Sequence, residues 1–590
     1  MAALFTTPKR NDKTSGAHFV EPDVRRRTLL AHGSWRRVTR RIVVGAVCAL
    51  TASSLLMPSV SLAAEWVDVG GSRYDAGTAA GDEAGTWSWD GADDMKLNGY
   101  DGGAIEAEGK LNVTYSGNNT VTNDNGRGIL VMDGNTENAE LNIQGDASST
   151  LNVTSSGDAI MSEGDINIDG AGTVNATSTE HDAIDAKGNL TIKGSGNVNA
   201  TGDSDGIRAD DNITIDNSGT VTAKATEDQG IDAHEHLTIK GGGKVEASSI
   251  EDVAIWASGN IEIAGGSQVK ANSEEDSAVE AKGGLAVTNA SLNANGAGYG
   301  VYTYKGITLD GATVTVRASA GNGEASALFT DEDDIFIKNG SIVDAFAEGQ
   351  FSTAISTRNH NPNGAGGHIY ISDSVVKAIA RYVESDSDGP DHYSNDQSGV
   401  VIPEHRGVNI GIFARTEEGT TPATISIVRS KVTAEGDTAA IFALATSADG
   451  ETIGTIEIEG APIQTPTGGK IIGYRNKEEL DDGIFYEVGQ TIGTGDATVN
   501  SPYNEAVAKS TVIVPPEEIK PEEKPGETKP EGSKSEGTKT TKTVAVAATG
   551  AKTTGKLAAT GDASSAAIIA TALVGTAAIV TGALASRKRS

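Results

Sequence analysis

Three aspartates recur at nearly constant spacing in the first half of the chain. Asp158, Asp182 and Asp205 are 24 and 23 residues apart, and each stands two residues before an isoleucine. If each interval is one turn of a coiled backbone, their carboxylates stack about 5 Å apart and repel by about 3 kcal/mol at an effective dielectric constant of 20. A bound Ca²⁺ would reverse that cost. The sequence therefore predicts a calcium site at these three residues, with water-facing turn aspartates as the alternative.

The residue after the isoleucine suggests a second chemistry. In three successive intervals this residue is Asp185, Arg208 and Asp232, a basic residue flanked by acids as in polysaccharide lyases. A charge ladder of alternating sign gives the same pattern without any reaction. Lyase chemistry through Arg208 is therefore kept as the rival to a binding function.

Aromatic residues occupy the same position further along the chain. Trp256 and Tyr302 are two intervals apart, which is about 10 Å in a coiled backbone and close to a disaccharide repeat, and Tyr304 is nearby. Flat aromatic faces stack on sugar rings, so the sequence predicts a glycan-binding platform at Trp256, Tyr302 and Tyr304. The alternative is an aromatic stack that covers neighbouring coils.

Metal binding by histidine and cysteine has little support. The segment RNHNPNGAGGH holds His360 and His368, but loop histidines without an acidic neighbour are more often polar surface. Cys48 is the only cysteine and lies in the apolar N-terminal run, which leaves the mature chain without thiolate sites or disulfides.

All these candidates depend on a repeat of about 24 residues. "DGIRADDNITIDNSGTV" (205–221) is followed by "QGIDAHEHLTIKGGGKV" (229–245). We call the apolar residue that follows Ala or Gly near the start of each repeat its anchor. The thirteen anchors are Ile105, Ile129, Ile160, Ile184, Ile207, Ile231, Ile255, Val279, Val301, Leu328, Ile355, Ile412 and Ile441.

Each repeat contains three short stretches in which apolar and polar residues alternate. After Ile184, for example, come Leu190 and Ile192 and then Val198, separated by Gly, Asn and Asp. Stacking such repeats is the way to bury their apolar faces. The pattern predicts an all-β fold, a right-handed parallel β-helix with three strands per coil. Longer gaps after four anchors and the insertion at 384–407 predict loops at its corners.

Composition agrees with a thin, elongated core. The 590 residues include 73 Gly, only 4% are aromatic, and the formal net charge is −34. A chain this acidic repels phosphate backbones, which excludes nucleic acid as a partner.

The phrase "DAIDAKGNLTIKGSGNVNATGDSDGI" (182–207) resembles the carbohydrate-binding-domain family of secreted parallel β-helix proteins. The resemblance covers residues 103–316 well. It implies a pectate-lyase-like fold, calcium held by acidic side chains between coils, and binding of cellulose-like or acidic plant polysaccharides without cleavage.

The two ends of the chain carry targeting signals. Seven arginines between residues 25 and 41 precede an apolar run, and Ser61-Leu62-Ala63 fits a leader-peptidase site, so residues 1–64 are predicted to be a secretory signal peptide. The segment TRRIVV (39–44) also fits twin-arginine export. At the other end, residues 566–585 form a 20-residue apolar run with Arg587-Lys588-Arg589 behind it, as expected of a membrane span.

The apolar run is preceded by "LAATG", whose residues are Leu557, Ala558, Ala559, Thr560 and Gly561. This order resembles a Gram-positive cell-wall sorting signal, with Ala558 where the commonest form has Pro. The resemblance implies that a sortase cuts after Thr560 and joins the chain to peptidoglycan. A permanent membrane anchor is the alternative.

The predicted organisation is a signal peptide (1–64), a β-helix (65–467), a C-terminal cap (468–514), a disordered Pro/Lys/Glu linker (515–556) and the sorting signal (557–590). The predicted function is that of a wall-anchored, calcium-stabilised surface protein that binds a polysaccharide without cleaving it. The rivals are a tethered lyase and an adhesin for a host protein.

Overall fold

The structure is a computed structural model. It describes residues 64–134, 139–359, 366–383, 409–417, 423–436, 439–446, 454–460, 463–465, 470–480, 483–494, 504–507 and 510–513. Contacts divide the chain into two compact units, Met1–Glu518 and Ile519–Ser590, and every described residue belongs to the first. Within those residues no helix is long and apolar enough to cross a membrane. Residues 1–63, His360, the 384–407 insertion, the linker, the sorting signal and the apolar run lie outside the described residues.

The described part begins with antiparallel strands. The first six strands are β1 (Trp66–Val69), β2 (Ser72–Asp75), β3 (Ala80–Gly81), β4 (Trp87–Trp89), β5 (Asp94–Asn98) and β6 (Asp101–Gly102). β1 pairs antiparallel with β2, and β4 pairs antiparallel with both β3 and β5. The β-helix was predicted to begin at residue 65. In the structure, residues 66–89 instead form antiparallel strand pairs.

Strands β7 to β30 form eight coils of three strands each. They are β7 (Ile105–Glu108), β8 (Lys110–Ser116), β9 (Asn118–Asn123), β10 (Ile129–Met132), β11 (Glu140–Gly145), β12 (Thr150–Ser155), β13 (Ile160–Ser162), β14 (Asp165–Gly170), β15 (Thr173–Ser178), β16 (Ile184–Ala186), β17 (Leu190–Gly194), β18 (Asn197–Thr201), β19 (Ile207–Ala209), β20 (Ile213–Asn217), β21 (Thr220–Lys224), β22 (Ile231–Ala233), β23 (Leu237–Lys240), β24 (Lys244–Ser249), β25 (Ile255–Ala257), β26 (Ile261–Ile263), β27 (Gln268–Ser273), β28 (Val279–Ala281), β29 (Leu285–Thr288) and β30 (Ser291–Gly296).

In the later coils, two long strands join the last strand of one coil to the first strand of the next. The remaining strands are β31 (Tyr299–Thr303), β32 (Ile307–Asp310), β33 (Thr313–Thr330), β34 (Ile335–Lys338), β35 (Ile342–Asn359), β36 (Ile369–Ser372), β37 (Val375–Tyr382), β38 (Asn409–Glu417), β39 (Thr424–Val428), β40 (Lys431–Glu435), β41 (Ala439–Thr446), β42 (Thr455–Glu459), β43 (Ile463–Thr465), β44 (Lys470–Leu480), β45 (Gly483–Thr494), β46 (Asn504–Val507) and β47 (Ser510–Ile513). β44 pairs antiparallel with β45 and β46, and β47 pairs antiparallel with β40.

The coils stack in parallel and in register, and the anchors mark that register. Each anchor pairs with the anchor of the next coil, from Ile105 with Ile129 through to Ile412 with Ile441. The strands fall into one sheet of 16 strands and one of 31. The predicted all-β fold of stacked parallel strands is confirmed, whereas the right-handed winding stays a prediction.

Alternation along each strand builds the core. In β17, Leu190 and Ile192 are buried and Thr191 between them is half-buried on the outer face. Because the register is constant, the inward residues of successive coils form continuous Ile, Leu, Val and Ala columns in one core. Outside, the amide of Asn175 donates to Asn152 and that of Asn199 donates to Asn175, each at 2.8 Å.

Steric crowding explains why the residue before each anchor is Ala or Gly. A Cβ placed on Gly206 would lie 2.6 Å from the Lys224 nitrogen and 2.7 Å from the Gly230 oxygen. The corresponding Ala254 and Ala278 are fully buried. The chain therefore turns into the anchor strand against the next coil, with room for a methyl group at most.

Candidate functional site

The residues predicted to do chemistry lie on one side of the coils. We call this side the anchor face and define it as the side chains two residues before, one residue after and three residues after each anchor. Contacts join the three columns: Arg208 is 3.3 Å from Asp210, and Tyr302 is 5.1 Å, centroid to centroid, from Tyr299. The strand register places Asp185, Arg208, Asp232 and Trp256 side by side on successive coils.

The acidic end of the anchor face contains a compact trio of carboxylates. One oxygen from each of Asp158, Asp182 and Asp185 lies within 4.8 Å of the others, and all three residues are buried. Asp158 pairs with Arg127 at 2.8 Å, and Asp185 pairs with Lys187 at 2.7 Å. The structure thus brings two of the three predicted aspartates together and adds Asp185 from the neighbouring column.

Asp205 has a different role in the same region. Its Oδ1 accepts a hydrogen bond from the Gln229 backbone N–H at 2.8 Å, and Asp182 Oδ1 accepts from the Asp205 N–H at 2.9 Å. Each carboxylate therefore satisfies a backbone donor of the following coil. Asp205 therefore connects its coil to the next one by hydrogen bonding, and its carboxylate does not belong to the trio.

Burial makes the negative charge of these aspartates costly. Desolvation, followed by the repulsion of Asp185, raises the pKa of Asp182 to about 6. Desolvation also raises the pKa of Asp185, and it raises the pKa of Asp205 well above its usual range, with Asp182 as the next cause. The charged form is thus disfavoured despite the nearby cations, which is the electrostatic condition that a divalent cation relieves.

Arg208 is enclosed by acids. Its guanidinium lies 3.3 Å from Asp210, 3.9 Å from Asp232 and 4.0 Å from Asp205. Burial lowers the pKa of Arg208, but the charges of Asp232, Asp182, Asp185 and Asp205 together outweigh it and raise that pKa. A cation held between acids on its own and the neighbouring coils is the arrangement of an alternating charge ladder.

Trp256 is surrounded by polar side chains. Lys282 Nζ lies 5.1 Å from its ring centroid, and the His234 ring meets it edge-on at 5.9 Å. Glu280 follows Trp256 on the next coil and accepts a hydrogen bond from its indole N–H. Desolvation, followed by the charge of Asp276, raises the pKa of Glu280 to about 7. Aromatic surface here adjoins hydrogen-bonding groups, a combination suited to a sugar.

The tyrosines form a separate cluster beyond Glu280. The Tyr302 ring stacks on Phe329 at 5.5 Å and 11°, and it meets Tyr304 edge-on at 5.2 Å. Burial, followed by the hydrogen bond with Tyr304, raises the pKa of Tyr302. One face of Tyr302 is therefore covered by the next coil, and Glu280 separates this cluster from Trp256. The aromatic stack anticipated as the alternative is present at Tyr302.

One of the two loop histidines can be located. His368 is buried, its ring lies 5.9 Å from Tyr370, and its backbone N–H donates to Asp334 at 3.0 Å. His360 lies outside the described residues, so the predicted pair is represented here by His368 alone.

Comparison with known proteins gives one match. Residues 104–243 match the family of carbohydrate-binding domain-containing proteins. This stretch is about a quarter of the chain and includes the acidic trio and Arg208. It ends before Trp256 and the tyrosine cluster. No curated protein and no solved structure matches the chain.

Sequence reasoning overlooked Asp185 as a member of the trio and Glu280 as the polar partner of Trp256. Both stand one residue after an anchor, so the same column that revealed Trp256 contained the signal. The side-chain contacts themselves were the missing information, because they depend on rotamers that a repeat does not specify.

Proposed function

We propose that this chain is a non-catalytic carbohydrate-binding surface protein whose anchor face holds the glycan. The family match over residues 104–243 carries this proposal. The anchor face supports it, because it offers buried acids at one end and aromatic side chains beside polar groups further along. Arg208, the residue on which the lyase alternative depends, lies within 4.0 Å of Asp210, Asp232 and Asp205, as in a charge ladder.

Within this proposal, sugar rings contact the anchor face between Trp256 and Tyr304. Trp256 is half-buried next to Glu280 and Lys282, which can hydrogen-bond sugar hydroxyls. Tyr302 and Tyr304 are half-buried, and they would contribute phenol groups and the ring surface that Phe329 leaves uncovered.

We also propose that calcium occupies the acidic trio. Three carboxylates within 4.8 Å fit an ion that takes six to eight oxygen ligands, and the raised pKa values of Asp182 and Asp185 indicate charge that a cation would stabilise. Asp158, Asp182 and Asp185 would hold the ion, and Asp205 would align the adjoining coil through its bond to Gln229. The ion would stiffen this part of the anchor face.

For the fold, we propose right-handed, pectate-lyase-like winding. Parallel strands joined by crossover connections are right-handed in nearly all proteins. The resemblance of residues 182–207 implies the same hand.

For location, we propose export through the signal peptide and attachment to peptidoglycan by a sortase. The support is the order LAATG, apolar run and basic residues near the end of the sequence. Thr560→Ala should leave the protein extractable with detergent, whereas the parent should require wall hydrolases for release. Equal detergent extraction of both would contradict sortase anchoring.

Glycan binding is tested by retention of the protein on a glycan array and on insoluble cellulose. Trp256→Ala is expected to reduce retention at least about tenfold, because it removes a whole aromatic contact. Phe336→Ala is the control, since Phe336 is an exposed aromatic stacked on Tyr370 in the other sheet.

Three outcomes would contradict the proposal. Equal retention of both variants would show that Trp256 is not part of the site. No glycan signal together with capture of a host protein would favour the protein adhesin. Ultraviolet-absorbing unsaturated product from polygalacturonate would show a lyase.

A further inference from the structure

A pocket lies on the anchor face beyond the tyrosine cluster, outside the stretch that matches the carbohydrate-binding family. It combines three phenyl rings, two arginines, one carboxyl group and several hydroxyls. The lining residues that matter here are Glu324, Phe329, Phe351, Arg358, Phe413 and Arg415.

The two arginines come from neighbouring coils. Arg358 and Arg415 pair in the register of β35 and β38, so their backbones are about 4.8 Å apart. The Arg358 Nε donates to Asp331 Oδ1 at 2.9 Å, and its guanidinium carbon lies 5.6 Å from the Phe329 ring centroid. Arg358 is therefore held in place by an acid on one side and an aromatic ring on another.

The pocket holds more positive than negative side chains. Glu324 is its one carboxyl group, and Arg358 and Arg415 are both close enough to act on its pKa, against the rise that burial causes. The pocket therefore places two guanidinium groups near one carboxyl group, in a chain whose net charge is −34. Guanidinium groups bind planar or tetrahedral oxyanions through paired hydrogen bonds.

The rings give the pocket an apolar side. Phe351 is 40% exposed, which is unusual for a phenylalanine in a strand, and Phe329 and Phe413 line the same pocket. An apolar wall beside two guanidinium groups suits a ring that has one apolar face and carries an anionic group.

We propose that this pocket binds a glycan residue bearing a carboxylate or a sulfate ester. Arg358 and Arg415 face the anionic group, Phe351 faces the sugar ring, and Asp331 is a positioning residue for Arg358. The inference rests on the proposed glycan-binding function and names its ligand class.

The test is calorimetric titration of the full chain with three tetrasaccharides of one backbone: chondroitin, its 4-sulfated form and its carboxyl-reduced form. At least one charged form is expected to bind about tenfold or more tightly than the reduced neutral form. Loss on carboxyl reduction identifies the carboxylate as the recognised group. A gain on sulfation identifies the sulfate.

Arg415→Gln is expected to abolish the preference for charged forms. Its control is Arg317→Gln, because Arg317 also pairs with an acid, Asp344, and lies beside a phenylalanine, but on the third strand of its coil. If Arg415→Gln misfolds, Phe351→Ala tests the same pocket from an exposed position and should weaken every form about fivefold or more.

The results separate this inference from the proposed function. If neutral and charged forms bind equally, or if Arg415→Gln behaves like Arg317→Gln, the pocket proposal is wrong. In that case, Trp256-dependent retention on the glycan array still supports glycan binding. Failure of every charged probe to bind also overturns the pocket proposal, and absence of retention on all glycans overturns both.

Discussion

Asp182 is a buried carboxylate whose protonation links the stability of the fold to pH. In the unfolded chain it titrates near its ordinary value of 3.8, and in the folded chain at about 6. The folded state therefore binds this proton more tightly, so the stability that protonation contributes is complete below about pH 4 and is lost as pH rises through about 6. The loss is on the order of 2–3 kcal/mol for a residue this buried.

Asp182→Asn is expected to remove this pH dependence. The amide oxygen can still accept the hydrogen bond from the Asp205 N–H, while the charge is gone. Without calcium, the variant should exceed the parent in free energy of unfolding by about 2 kcal/mol at pH 7.5, with a much smaller difference at pH 4.5. Urea unfolding at the two pH values measures this.

Calcium adds a second readout to the same variant. At pH 7.5 calcium should stabilise the parent and leave Asp182→Asn unchanged, because the variant lacks one ligand of the trio. Asp169→Asn is the control, since Asp169 is a more exposed acid elsewhere on the solenoid that pairs with Lys193. An equal calcium effect on all three proteins would contradict the site.

At the level of elements, the stacking of strands was predictable. Every coil contributes the same positions to one continuous core, so each repeat needs an apolar residue at those positions. Ile207, Ile231 and Ile255 could be aligned from sequence alone, and they pair as aligned. The membership of the acidic trio could not be predicted, because Asp185 belongs to a different column from Asp158 and Asp182, and the repeat does not specify the rotamers that bring their carboxylates together. The pocket at Arg358 was hidden because its second arginine follows the longest insertion.

The corner before the anchor strand gives the element-level prediction. Gly206→Val should destabilise the fold by about 2–3 kcal/mol, since its Cβ would overlap the backbones of Lys224 and Gly230. Gly298→Val is the control, because nothing lies within 4 Å of a Cβ placed there. Thermal unfolding of both variants checks the expectation, and equal melting temperatures would show that the corner can open.

In the described solenoid as a whole, the N-terminal end of the core needs a cover, because the first coil has no preceding coil to pack against. Trp87 and Trp89 of β4 are buried in the same core as the first coil anchor, Ile105, and β1 pairs antiparallel with β7 on that coil. Nothing in the repeat predicts these strands, because a cap must differ from the coils that it closes. Without them, the first coil would present an unpaired strand edge and open apolar surface.

A chain that begins at Tyr100 should therefore associate or aggregate and melt at a lower temperature than one that begins at Glu65. The physical reason is that parallel strand edges accept further strands, including those of another copy.

The cap contributes both strand pairing and buried aromatic surface, and Trp89→Ala separates these two contributions. The variant keeps the strand pairing of β1 with β7 and removes only a buried ring, at a cost of about 3–5 kcal/mol. Light scattering coupled to size exclusion distinguishes them: the shortened chain should form larger species, whereas Trp89→Ala should lose stability and remain monomeric. A monomeric shortened chain of unchanged melting temperature would mean that the stacked coils need no cap at this end.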